Sequence, residues 1–137
     1  IDNRLHLCHV FTVDDLKYLH RGGRVSKTAA IAGSILGIKP LLHVDNEGHL
    51  IPVGKIRGRK QSIEKLVDMM CERMGNWDNS TVAVCHGDCL SDAEYAADLM
   101  RKKLGKKTTV HICYTGAVIG SHSGPGTLAL FFMGDQR

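Results

Sequence analysis

Hydrophobic and polar positions along this chain follow two periods. Strand-like runs or alternation occupy residues 5–13, 39–44, 49–57, 81–86, 108–114 and 127–133. Helical spacing of apolar residues marks 62–74 and 92–104, and shorter helices are predicted after Asp14 and over 27–36. The run at 81–86 is almost continuously apolar, which predicts a strand that is buried on both faces.

Turn and capping residues lie at the ends of these elements. Gly48 in the polar segment between two strands predicts a β-hairpin. Ser62 is the expected N-cap of the first long helix, and the spacing from Ser91 to Glu94 predicts a capping box for the second, which Gly105 ends. Hairpin and strand–helix–strand units together predict an α/β fold: a two-layer domain with a mixed sheet of about six strands and helices mainly on one face.

Composition limits the classes of function. At 137 residues, with 43% hydrophobic and 23% charged residues, we expect one domain spanning 1–137 with its own core. The net charge of +4 is not gathered into a basic stripe, so nucleic acid is not an expected partner. The net charge supports only a weak preference for an acidic partner or transient contact with an anionic membrane surface.

The cysteines indicate the redox state of the compartment and are the candidate ligands for a metal ion. Their number is odd and several lie in apolar runs, so we expect reduced, mostly buried thiols and a cytoplasmic setting. Cysteines and histidines near 85–89 and 111–113 could supply four zinc ligands, but their spacing matches no common zinc motif. We expect no metal and no cofactor. The chain begins at Ile1 rather than Met, so we expect a fragment of a longer protein.

A glycine-rich segment, 118–127, is the strongest candidate for a binding site. Glycine permits positive φ and close backbone approach, so a loop of this composition can direct several N–H groups inward to bind an anion. A histidine beside such a loop adds a donor that can gain charge near neutral pH. We expect the head group of a ligand to bind here. The expected ligand-binding residues are Gly120, Ser121, His122, Gly124 and Gly126.

Two further clusters each leave two interpretations open. The predicted helix over 27–36 is rich in small residues, including Ala29, Ala30 and Gly33, which favours close packing against either the sheet or a ligand. The basic cluster at 55–60 is either a solvated turn or a docking surface for an acidic or phosphorylated partner. Its expected docking residues are Arg57, Arg59 and Lys60.

Motifs for catalysis do not occur. The sequence has no nucleophile elbow, P-loop or dinucleotide-binding fingerprint, and the glycines of 118–127 do not follow the G-x-G-x-x-G order. The residues therefore favour binding over catalysis.

Four motifs in order resemble segments of the DegV family of bacterial fatty-acid-binding proteins. They are LHRGGRVS at 19–26, GIKPLL at 37–42, KIRGRK at 55–60 and IGSHSGPG at 119–126. The resemblance covers the C-terminal half of that family. It implies that an N-terminal α/β/α domain is missing here, together with the Thr and Ser hydroxyls that the family uses there to hold a carboxylate.

The resemblance also implies a function and a partner. A long-chain fatty acid such as palmitate would lie between the two domains, with His122 contributing to the carboxylate network and the helix around Ala29, Ala30 and Gly33 walling the acyl chain. Arg57 and Arg59 would lie where the family meets a kinase that phosphorylates the bound acid. The chain itself would not be an enzyme; its role would lie in lipid transport or fatty acid metabolism.

Two alternatives remain at this point. Dihydroxyacetone kinases have a similar two-domain architecture, and in a domain of that kind a histidine would hold a small carbonyl substrate. The chain could instead be a docking or interaction domain that acts through its basic turn.

Overall fold

The computed structural model describes residues 2–26, 37–135 and 137. The strands are β1 (Leu7–Thr12), β2 (Ile38–Val44), β3 (Leu50–Arg57), β4 (Thr81–His86), β5 (Thr109–Tyr114) and β6 (Leu128–Met133). In the described part of the chain, the α-helices are α1 (Lys17–Arg21), α2 (Arg59–Arg73), α3 (Leu90–Leu104) and α4 (Ala117–Ser123), and a 3-10 turn covers Arg4–His6. The helix predicted over 27–36, with Ala29, Ala30 and Gly33, lies outside the described residues.

The strands form one mixed sheet in the order β3-β2-β1-β6-β4-β5. Every neighbouring pair is antiparallel except β4 and β5, which run parallel and are connected through α3. The predicted hairpin is β2 and β3, with Gly48 at φ 88° in its turn. The α/β fold class and the mixed six-stranded sheet predicted from the sequence are confirmed.

The two long helices cover one face of the sheet and form the main core with it. Two small residues, Ala93 and Ala96, let α3 pack closely, and larger side chains from α2 and the strands fill the remaining space. Fully burying a Leu, Val or Met side chain contributes roughly 1.5–3 kcal/mol, so this face dominates the stability. Central members of this core are Val10, Leu66, Met70, Val84, Ala93, Ala96, Met100 and Leu130.

The opposite face of the sheet is only partly covered. The short helices α1 and α4 pack on each other, and a small core forms around Phe11, Leu19 and Leu42. This arrangement confirms that helices lie mainly on one face. It also overturns one prediction about β4: Val84 is buried, but Cys85 is only half-buried, because it lies on the less covered face. The strand is therefore not buried on both faces.

Two capping predictions are wrong. Helix α2 begins at Arg59, after Gly58 at φ 94°, so Ser62 lies inside its first turn and donates its hydroxyl hydrogen to the Arg59 carbonyl at 2.6 Å. Helix α3 begins after Cys89 with no capping hydrogen bond from a side chain. Both helices start earlier than the sequence predicts, and their first turns are joined by the hydrogen bond from Arg59 to Asp92 at 2.8 Å.

Candidate ligand-binding site

A cavity of about 470 Å³ lies on the less covered face of the sheet. Its volume is within the range of small-molecule sites, ~300–1,000 Å³. The apolar part of its wall comes from the strands and the two short helices: Phe11, Leu19, Val44, Leu50, Val118, Ile119, Ala129 and Phe131. The cavity therefore offers a mostly apolar surface that the sheet and the two short helices form together.

Helix α4 forms one edge of this cavity and presents large apolar side chains to solvent. Val118 is 73% exposed and Ile119 is 62% exposed, and both also line the cavity. Nearby in the chain, at the end of β5, Tyr114 is 70% exposed. Neighbouring exposed apolar side chains of this size are typical of an interaction surface or the edge of a ligand site.

The glycine-rich segment is largely helical, which corrects the prediction of a loop with inward N–H groups. The N–H of Gly120 donates to the Gly116 carbonyl at 2.9 Å, and the N–H of Gly124 donates to the Gly120 carbonyl at 2.8 Å. The N–H of Gly126 donates to the Gly87 carbonyl at 2.7 Å. Since these donors are already paired inside the protein, they do not form an anion-binding loop.

The hydroxyl groups of the same segment are also engaged. Ser121 donates to the Val118 carbonyl at 2.8 Å, and its side chain is exposed rather than part of the cavity wall. Ser123 donates to the Ile119 carbonyl at 2.9 Å. These bonds stabilise α4, so the expected contribution of Ser121 to a head-group site finds no support in its geometry.

His122 lies in the last turn of α4, half-buried, and lines the cavity. Its imidazole packs against Gly22 at the end of α1 so closely that a Cβ at Gly22 would collide with its Nδ1 atom. The ring position therefore depends on the absence of a side chain at Gly22. Of the five expected ligand-binding residues in segment 118–127, His122 is the one that the structure places in the cavity wall.

Two further polar residues of the cavity wall, Thr115 and Arg24, were not expected there from the sequence. Thr115 follows β5, and its buried Oγ1 has no hydrogen-bond partner among the described residues. Arg24 is the one Lys, Arg, Asp or Glu among the described wall residues, and its motif, GGR, was recognised without a role in the cavity. Thr115 had no signal in the sequence, since a lone threonine after a strand is common.

A second histidine, His9, contributes to the strand side of the wall. Its ring lies 4.9 Å from that of Phe131, centroid to centroid, and its Nε2 has no partner in the described part of the chain. Burial lowers the pKa of His9 below its ordinary value, and the charge of Arg137 lowers it further. The lowered pKa keeps the His9 ring neutral at neutral pH, which suits its place in a mostly apolar wall.

The basic cluster divides into internal and exposed residues. Arg59 donates from Nε to the Asp92 carboxylate at 2.8 Å and from Nη2 to the Gly126 carbonyl at 2.7 Å. It thereby joins the first turns of α2 and α3 to the segment after α4. Arg57 and Lys60 are exposed, so they remain available to a partner while Arg59 is occupied by internal contacts.

Two of the expected ligand-binding glycines have structural roles instead. Gly124 has φ 82°, and a Cβ there would lie 2.6 Å from Cδ2 of the Tyr18 ring. Gly126 has φ 77°, and a Cβ there would collide with the Asp14 carboxylate. Both glycines permit a turn that brings the segment after α4 against the region of α1.

Comparison with known proteins places the whole chain in one group. A family model described as "Uncharacterised protein, DegV family" matches residues 2–135. DegV domain-containing protein CPE0026 of Clostridium perfringens is 47% identical over 136 residues, covering 99% of this chain and 46% of the relative. Protein DegV of Bacillus subtilis is 38% identical over 122 residues, covering 88% and 42%. The chain spans slightly less than half the length of these relatives.

Solved structures show the same fold. The fatty acid binding DegV family protein SAG1342 from Streptococcus agalactiae matches with a TM-score of 0.84 at 30% identity, over 98% of this chain and 47% of that one. DegV, a fatty acid binding protein from Bacillus subtilis, matches with a TM-score of 0.73 at 33% identity, over 98% and 47%. The fatty acid kinase (Fak) B3 protein of Streptococcus pneumoniae, loaded with linoleic acid, shares the fold with a TM-score of 0.86 at 16% identity, over 98% and 47%.

Proposed function

Because this chain belongs to the DegV family, we propose that it binds a long-chain fatty acid, with the acyl chain in the cavity and the carboxylate beside His122. The observation that carries this proposal is the apolar cavity on the less covered sheet face, with His122 of α4 in its wall. Two relatives at 30% and 33% identity are themselves described as fatty acid binding.

The chemistry of the wall suits a ligand with a long apolar tail and one acidic end. Each buried CH₂ group contributes about 0.8 kcal/mol, so the tail supplies most of the affinity. A carboxylate brought out of water needs donors, or its burial opposes binding. The candidate donors are His122, the Thr115 hydroxyl and Arg24, which replace the backbone N–H groups and serine that the sequence suggested.

The cavity is completed by another part of the protein. The chain spans just under half of its curated relatives, and the apolar side chains of Val118 and Ile119 are exposed at the cavity edge. We assign the opposite wall to the N-terminal half of the family, so that the acid lies between two domains. The affinity of the isolated chain for fatty acid is then weak.

The protein presents its ligand rather than reacting with it. Presentation of the carboxylate to a kinase in the cytoplasm follows from the resemblance, and the exposed cations Arg57 and Lys60 are the candidate docking groups for that partner. Arg59 supports this surface from inside through its bonds to Asp92 and Gly126. Such a carrier serves lipid transport or fatty acid metabolism.

The proposal is tested on the intact protein, including any sequence that flanks this chain. Bound lipid is extracted with a denaturing solvent and identified by mass spectrometry. We expect one long-chain fatty acid per protein molecule after purification from cells. An intact protein that is consistently empty and takes up no added palmitate would contradict fatty-acid binding. The same preparation should not phosphorylate dihydroxyacetone with ATP, which the alternative enzyme hypothesis requires.

Substitution of His122 tests the placement of the carboxylate. A hydrogen bond to a charged group is worth ~1.5–3 kcal/mol, so His122→Ala should weaken palmitate binding by about 10- to 100-fold in a calorimetric titration. Ser121→Ala is the matched control on the same helix, because its hydroxyl is exposed and bonded within α4. Equal affinities for the two variants would remove His122 from the head-group site.

A further inference from the structure

Cys85 and Cys113 lie side by side on the parallel strands β4 and β5. They are register partners, and their Sγ atoms are 2.7 Å apart. Neighbouring strands lie about 4.8 Å apart, which is within the range of Cα separations, ~4.4–6.8 Å, that a disulfide spans. The two thiols can therefore be linked with little movement of either strand.

The two sulfur atoms differ in access. Cys113 is exposed, whereas Cys85 is half-buried and lines the cavity. The remaining cysteines have different neighbours: Cys8 is buried in the core, and the thiol of Cys89 donates to the Thr127 carbonyl at 3.3 Å. An oxidant from solvent therefore reaches Cys113 before its partner.

A metal site does not account for the pair. Within the described residues, the one group of three or more His, Cys, Asp or Glu side chains with converging ligand atoms is Asp45, Glu47 and His49, in the exposed β2–β3 turn. Two thiols without a third ligand do not form the closed four-ligand set that a structural zinc ion requires. Their juxtaposition fits thiol–disulfide chemistry better.

We propose that Cys85 and Cys113 are a redox modification site that forms a reversible disulfide when the protein meets a hydroperoxide. The Cys113 sulfur attacks the peroxide O–O bond and becomes a sulfenic acid, releasing an alcohol, or water from hydrogen peroxide. The Cys85 sulfur then attacks the Cys113 sulfur, forming the S–S bond and releasing water. Two thiols are oxidised by two electrons, one peroxide is reduced, and an external dithiol reverses the change.

The raised pKa of Cys85 supports this order of events. Burial, the hydrogen bond with Cys113 and its nearby charge raise the pKa of Cys85 to about 12, so Cys85 supplies little thiolate to attack peroxide directly. Cys85 acts in the second step, the attack on the oxidised Cys113 sulfur. The two sulfur atoms are already in contact, so proximity compensates for the low nucleophilicity of the Cys85 thiol.

The test is hydrogen peroxide treatment of the intact protein, followed by alkylation of free thiols and mass spectrometry of the denatured protein and of its peptides. Compared with untreated protein, we expect two fewer alkylated cysteines and an intact mass that is lower by two hydrogens before alkylation. The peptides should include a cross-linked pair that contains Cys85 and Cys113. Dithiothreitol should restore both thiols fully. Cys71→Ser, which removes a half-buried cysteine of α2, should behave like the wild type.

Cys113→Ser should abolish the cross-link and leave Cys85 available to alkylation. A peptide map of the wild type that shows Cys113 sulfinic acid and no Cys85–Cys113 link would overturn the proposal. A link that forms equally fast in urea-denatured protein would also overturn it, because proximity in the fold would then play no part. Both results come from the wild type, so they do not depend on whether a variant folds.

Discussion

The position of one imidazole ring carries the proposed head-group chemistry. The sequence identified His122 because a single histidine stands among glycines and small hydroxyl residues. It could not identify the contact with Gly22, since that contact joins two helices about a hundred residues apart. It also assigned the Gly120 and Gly124 N–H groups to the ligand, because sequence composition alone does not show that those groups bond within a helix.

Gly22→Ala tests how this ring is held. The new Cβ would collide with Nδ1 of His122 and displace the imidazole, so palmitate affinity should fall about tenfold without any change at His122 itself. Gly120→Ala is the matched control, because a Cβ there meets nothing within 4 Å and improves the helix by ~0.5–1 kcal/mol. Unchanged affinity in a folded Gly22→Ala variant would show that the ring does not need this position.

His9 predicts a dependence of stability on pH. Its native pKa lies below the ordinary value of ~6.5, mainly through burial, so the unfolded chain binds a proton more readily than the folded one. The contribution of His9 to the free energy of unfolding is therefore fully present above about pH 6.5. It falls as the pH decreases from there toward the pKa of His9 in the folded protein. The pKa of His43 is lowered for the same main reason and adds to this slope.

Urea unfolding at about pH 7 and about pH 5.5 measures this effect. The wild type should lose free energy of unfolding at the lower pH, and His9→Phe should lose less, because a ring that cannot accept a proton replaces the imidazole beside Phe131. If both proteins lose the same amount, His9 is not a source of the pH dependence.

At the scale of elements, amphipathic spacing found the two long helices and the hairpin, whereas the starts of the helices were misplaced. Gly58 with positive φ and the contacts of Arg59 set those starts, and neither is a local capping signal. Helix α4 was missed for a related reason: it has seven residues, and a glycine inside lowers its intrinsic helix propensity. Packing on α1 and the bonds of its serines stabilise it instead.

Arg59→Ala tests whether this arginine joins the elements rather than a partner. Loss of its bonds to Asp92 and the Gly126 carbonyl should lower the free energy of unfolding by about 1–3 kcal/mol in urea titrations. Arg57→Ala, two residues away and exposed, should change it by less than about 0.5 kcal/mol. Equal effects of the two substitutions on the free energy of unfolding would show that Arg59 does not join these elements, and Arg59 would again be a candidate docking residue.

At the scale of the whole molecule, the sheet has two unequal faces. One face is closed by α2 and α3 over a continuous core, and the other has short helices beside an apolar cavity. The fold class, the strand count and the one-sided helices followed from periodicity and element order. The cavity did not, because its wall combines strands, α1 and α4 that are far apart in the chain. None of the described helices is long and apolar enough to cross a membrane.

The proposed place of the acyl chain is the cavity on the less covered face of the sheet. Ala129 lies in its wall on β6, so Ala129→Phe should fill part of the space without disturbing the core on the opposite face. Native mass spectrometry of the intact protein with added palmitate measures occupancy directly, and far-UV circular dichroism checks the fold. We predict one bound palmitate in the wild type and little or none in a folded Ala129→Phe variant. Equal occupancy in both proteins would contradict binding of the acyl chain in this cavity.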